Sequence, residues 1–115
     1  MEHTGSLKQN HVFRRLYSKG KSAVNRCLAL YCRKNHQPHS RLGVTVGVKV
    51  GKAVVRNRTR RRIKEAYRIH EARFQPGYDL VVVARVRAGH CRYREVERSL
   101  LSLADKLGLL RKEEV

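Results

Sequence analysis

The apolar positions of this chain follow two periods, and the switches between them mark out its elements. Val12, Phe13, Leu16 and Tyr17 share one stripe at helical spacing. They predict a short helix that begins at Asn10 as N-cap and ends near Lys19, with Gly20 at the C′ position. Residues 26–33 alternate instead, with Leu28, Leu30 and Cys32 on one face and Ala29, Tyr31 and Arg33 on the other. After a polar turn holding Pro38, a second alternating run places Leu42, Val44, Val46 and Val48 on a core face. Its opposite face shows Gly43, Thr45 and Gly47, a shallow floor that a ligand backbone can approach. Gly51 precedes a return to helical spacing over about Ala53 to Arg73, where Val55, Thr59, Ile63, Ala66 and Ile69 lie on the side that packs on a sheet. Gln75-Pro76-Gly77 ends that helix. Leu80 to Ala84 is a continuous β-branched run, the mark of a strand covered on both faces. A last helix, about Arg94 to Leu107, carries Val96, Leu100, Leu103 and Leu107 on one face.

This order of helix, strand, strand, helix, strand, helix predicts an α+β fold: three helices on a small central sheet. A sheet of about four strands is expected, the fourth hidden near Lys21 to Val24. At 115 residues the chain is one domain. Residues 1–9 read as a loose arm, and 111–115 as a frayed tail. No apolar stretch nears the roughly 20 residues that span a membrane, and the N-terminal residues lack the apolar segment of a signal peptide. The odd number of cysteines, three, is unlike a disulfide framework, so a reducing cytoplasm is the expected location. Cys27, Cys32, His36 and His39 superficially resemble a zinc set. An odd separation along a strand points the two cysteines to opposite faces, which argues against a metal there.

Charge changes the picture. Lys and Arg number 27 against 9 acids, a net +18 at a hydrophobic content of 41%. The chain is therefore a foldable polycation whose self-repulsion a polyanionic partner would relieve. From Lys49 to Lys64 eight of sixteen residues are basic and none is acidic. On a helical wheel Arg56, Arg60 and Lys64 stack along one face, with Asn57, Arg61 and Arg68 beside them. Arg58 and Arg62 fall near the apolar arc, flanking the stripe or snorkelling over its edge. A helix start already carries partial positive charge and unpaired N–H groups, so arginines there destabilise it unless an anion neutralises the site. Asn57 is open between capping the local backbone and bonding a base or 2′-hydroxyl. If the first helix lies over the sheet, Phe13, Tyr17 and Tyr31 line a groove on which bases can stack.

Lys49-x-Gly51-x-Ala53-Val54-x-Arg56-Asn57-Arg58-x-Arg60-Arg61 resembles the signature of the bacterial ribonuclease P protein subunit. The likeness extends over residues 8–110, through the aromatic helix, the Leu30-Tyr31 strand, the Arg-Leu-Gly-Val strand and the strand from Asp79 to Arg85. It implies a protein that binds a catalytic RNA and helps remove the 5′ leader of precursor tRNA. Lys49, Lys52, Arg56, Asn57, Arg58, Arg60, Arg61, Lys64 and Arg68 would face that RNA, while Phe13, Tyr17 and Tyr31 would hold the leader. Mg2+ for hydrolysis would be held mainly by RNA, and no catalytic residue, dedicated protein partner or membrane contact is implied for the chain. The resemblance also implies a left-handed crossover through the basic helix, against the general right-handed rule. Val48 departs from the family pattern, which often has a basic residue there, so it either forfeits a phosphate contact or belongs to the core strand.

A ribosomal or other structural RNA-binding protein is the alternative. It accounts for the basic stripe but poorly for the aromatic groove and the full motif. A double-stranded DNA reader would show a helix-turn-helix or zinc module, and a protein nuclease an acidic metal site. Neither is visible in the sequence.

Overall fold

The computed structural model describes residues 4–7 and 10–111, with side chains of the first helix from Phe13 onward. Five strands form one mixed sheet in the order β1-β4-β5-β3-β2. They are β1 (Thr4–Ser6), β2 (Lys21–Val24), β3 (Leu28–Lys34), β4 (Ser40–Val46) and β5 (Tyr78–Ala84). Three helices complete the fold: α1 (Asn10–Lys19), α2 (Ala53–His70) and α3 (Tyr93–Lys106). The α+β architecture and the hidden strand at Lys21–Val24 are as the sequence predicts, and the fifth strand is an addition. Part of the expected N-terminal arm, Thr4–Ser6, pairs in parallel with Ser40–Leu42, and Leu7 behind it is buried. Its short polar run carries no period, so pairing with β4 decides its state. At the other end Arg111 donates its backbone N–H to Arg73 O at 2.6 Å, so the expected frayed tail does not begin there. The rest of the two expected flexible ends, 1–3, 8–9 and 112–115, lies outside the described residues.

Register follows the alternation. Leu30 sits opposite Val82 and Val44 beside Val82, which puts the aliphatic residues of three strands on one face. There Leu28, Leu30, Leu42, Leu80 and Val82 meet Ile63, Ala66 and Tyr67 of α2, with Val96, Leu100 and Leu103 of α3. Each such fully buried aliphatic side chain contributes about 1.5–3 kcal/mol of transfer free energy. On the other face a smaller cluster of Leu7, Leu16 and Val81 is joined by Phe13, Tyr31 and Val83. Val81 and Val82 are both fully buried, as the continuous apolar run of β5 requires. The parallel neighbours β4 and β5 are joined through α2, so the expected βαβ unit is present.

Three assignments are corrected by packing. Val48 is 76% exposed because β4 stops at Val46 and a 3-10 turn, Val48–Val50, follows; Val50 takes the buried place. Ile69 is half exposed, whereas Tyr67 is buried and donates to or accepts from Thr4 Oγ1 at 2.9 Å. The helix thus turns its last apolar contact toward β1, an element the sequence pattern does not reveal. The expected opposite orientation of Cys27 and Cys32 also fails. Both are buried in the same core because Cys27 precedes β3 and escapes its alternation.

Candidate nucleic-acid interface

The basic helix begins without a cap. Lys52 at its N-cap makes no side-chain bond to the first turn, and no acid lies in that turn. Its N-terminus is therefore held by what surrounds it. Gly89, in the 3-10 turn Val86–His90, approaches so closely that a Cβ there would lie 2.6 Å from Val50 O. Arg58 Nη2 donates to Gly89 O at 3.3 Å and Arg62 Nη1 to Cys91 O at 2.6 Å. These two arginines, which break the wheel pattern, are thus fastened to the chain segment before α3.

The remaining cations face outward. Lys49, Lys52, Arg61 and Lys64 are exposed, and Arg56 and Arg60 half-buried. Among the arginines and lysines of α2, only Arg68 is paired with an acid among the described residues, through Glu65 at 2.5 and 3.0 Å. That bond holds the Glu65 carboxyl below its usual range and raises the Arg68 guanidinium. Asn57 resolves one way: its Oδ1 accepts from Arg60 Nη1 at 3.0 Å, and it caps nothing. The Nε groups of Arg56 and Arg58 are buried without an acceptor. Such unmet donors in a run of like charge raise the free energy of the unbound surface.

The aromatic residues meet on the opposite face of the sheet. Tyr17 and Tyr31 stand edge to face with ring centroids 4.8 Å apart, Tyr17 being 44% exposed. Phe13 lies over Gly43, where a Cβ would come within 2.8 Å of Phe13 Cε1. This corrects the expected glycine floor at its Gly43 end: Gly43 makes room for Phe13, which packs on the small core. Only at Gly47 is the floor open. This face therefore presents Tyr17 and Tyr31, with Phe13 packed beside them.

Nothing in this arrangement suits a hard divalent cation, which takes several oxygen ligands. Among the described residues no three of His, Cys, Asp and Glu come together to hold a metal. Cys27, Cys32, His36 and His39, whose spacing only superficially resembles a zinc set, form no such group among the described residues. Cys27 Sγ instead lies 2.8 Å from Cys91 Sγ.

The basic, uncapped helix thus lies on one face of the sheet and the Tyr17–Tyr31 pair on the other. The family model for Ribonuclease P matches residues 1–108. The chain belongs to the ribonuclease P protein family. It is 42% identical over 104 residues to the ribonuclease P protein component of Clostridioides difficile strain 630, covering 90% of this chain and 91% of that one. Among solved structures, the Staphylococcus aureus RNase P protein at 2.0 Å superposes with a TM-score of 0.85 at 32% identity, over 92% of this chain and 97% of that chain. The RNase P protein from Thermotoga maritima gives a TM-score of 0.78 at 30% identity, over 95% and 98%. Membership in a ribonuclease P family places the chain in tRNA processing. No helix among the described residues is long and apolar enough to cross a membrane.

Two features of this ribonuclease P family member escaped the sequence reading. One is Tyr93, which enters a groove beside the basic helix. The other is the Cys27–Cys91 contact, formed across 64 residues. The i, i+4 spacing of Arg58 and Arg62 was the available signal for the groove. For the cysteine pair there was none.

Proposed function

We propose that this chain is the RNA-binding protein subunit of a ribonuclease P whose active site is made of RNA. The observation that carries the reading is the face of α2. Arg56, Arg60, Arg61 and Lys64, with Lys49 and Lys52 before them, carry no acid partner among the described residues and surround buried donors without acceptors. Phosphates of a catalytic RNA supply the missing opposite charge. Asn57 holds Arg60 in position, Arg58 anchors the helix start to the Gly89 turn, and Arg68 exchanges Glu65 for phosphate at the far end.

The cleft of Tyr17 and Tyr31, edged by Phe13, receives the single-stranded 5′ leader of precursor tRNA, whose unpaired bases stack on aromatic rings. The chain's part in cleavage is to bind and orient the leader while the RNA holds Mg2+ and performs hydrolysis. Its place of work is the cytoplasm.

Reconstitution tests the reading. Added to the cognate catalytic RNA at low magnesium, the purified chain should raise the rate of 5′ cleavage of precursor tRNA, and no gain would sink the proposal. Arg60→Ala should weaken RNA binding and lower the log–log salt slope by about 0.7–0.9. A substrate without a leader should lose most of the affinity gain; equal enhancement with and without it would remove the leader from the Tyr17/Tyr31 cleft.

A further inference from the structure

Between α2 and α3 runs a groove of about 690 Å³ that is separate from the aromatic cleft. Tyr93, the first residue of α3, lines it together with Arg58, Arg61, Arg62, Lys64 and Arg68. The parts are held differently. Tyr93 packs on the main core and its hydroxyl donates to Glu97 Oε2 at 3.3 Å, which fixes the ring. Arg58 and Arg62 are fixed by Gly89 O and Cys91 O. Arg61 and Lys64 are exposed and reach solvent. The only acid in the lining, Glu65, is engaged by Arg68.

An occupant of this groove meets a flat, half-buried aromatic ring with free cations at the rim. That combination selects a ligand with a planar apolar part and an anionic part. We propose that the groove binds one unpaired nucleotide of an RNA strand, its base against Tyr93 and its phosphate against Arg61 and Lys64. A base in a duplex keeps its faces stacked on its neighbours, so the occupant is a bulged or single-stranded residue. This deepens the RNA-binding reading, on which it rests, and assigns α2 two functional sides. The solvent side meets phosphates, and the side toward α3 takes a base.

The test uses the whole chain and a single-stranded RNA carrying one 2-aminopurine. Binding should quench its fluorescence. Tyr93→Leu should lower affinity by about tenfold, within what loss of one stacked base causes. It should also abolish the quenching that persists in a Tyr17→Leu/Tyr31→Leu background, where the other aromatic pair cannot stack the base, while leaving the salt slope unchanged, because no charge is lost. Tyr93→Phe should retain quenching, and Arg61→Ala should lower the slope. Should Tyr93→Leu fail to fold, photo-crosslinking of the unaltered chain to a 4-thiouridine strand decides. An adduct on Tyr93 supports the site, and adducts confined to Tyr17 and Tyr31 overturn it. Unchanged affinity and quenching in a folded Tyr93→Leu variant overturn it equally. Failure of the unaltered chain to bind RNA at all would instead refute the reading beneath it.

Discussion

Gly89 shows how one missing methyl group holds the basic helix in place. With a Cβ 2.6 Å from a backbone oxygen, Gly89→Ala must push the Val86–His90 turn away from Val50 and loosen the acceptors of Arg58 and Arg62. We expect a loss of about 1–3 kcal/mol in urea unfolding, the usual range for overpacking. Nearby, burial pushes the Cys91 thiol up to about 12, and the contact with Cys27 adds to this. A thiol so rarely ionised should resist a disulfide reagent at neutral pH until the chain unfolds; fast labelling of Cys91 in the native protein would contradict this. Glu97 behaves oppositely. Its bond to His70 at 3.0 Å holds the carboxyl below its ordinary 4.5, so the unfolded chain takes up the proton first as pH falls. Its contribution to stability is present above that ordinary value and lost on acidification through the lower folded value. Melting curves of Glu97→Gln and the parent should differ at neutral pH and converge in acid.

Helix α2 is a compromise between two demands on one element. Its buried side, Thr59, Ile63, Ala66 and Tyr67, is what any sheet-packing helix needs. Its exposed side is what an isolated helix would avoid. Arg56–Arg60 and Arg60–Lys64 are like-charged i, i+4 pairs, each unfavourable by about 0.2–0.5 kcal/mol. Replacing Arg60 by Glu converts both to attractive pairs. We expect thermal unfolding of the free protein at low salt to rise slightly while RNA affinity falls. A variant losing both would mean that the arginine is structural.

At the scale of the molecule the same conflict is written as a net charge of +18. Repulsion among exposed cations is screened by salt over about 10 Å at 0.1 M. The melting temperature of the free chain should therefore climb with sodium chloride. It should climb further with phosphate at equal ionic strength, because an anion that binds the native surface stabilises it by mass action. A melting temperature that ignores salt would remove self-repulsion as a determinant of stability.

The alternating and helical periods were enough to determine the main elements, the α+β class and the basic stripe, because each depends on residues close in sequence. The motif from Lys49 to Arg61 was legible for the same reason. Tertiary structure decided what distance along the chain conceals. It made Thr4–Ser6 a strand by giving it β4 as a partner. It buried Tyr67 and left Ile69 exposed, and it covered the Gly43 end of the glycine floor with Phe13. It also joined Arg62 to Tyr93 across 31 residues in a groove between two helices. Local pattern reports which side of an element is apolar. Only packing decides which neighbour that side meets, because a contact's energy depends on both partners and a sequence period describes one.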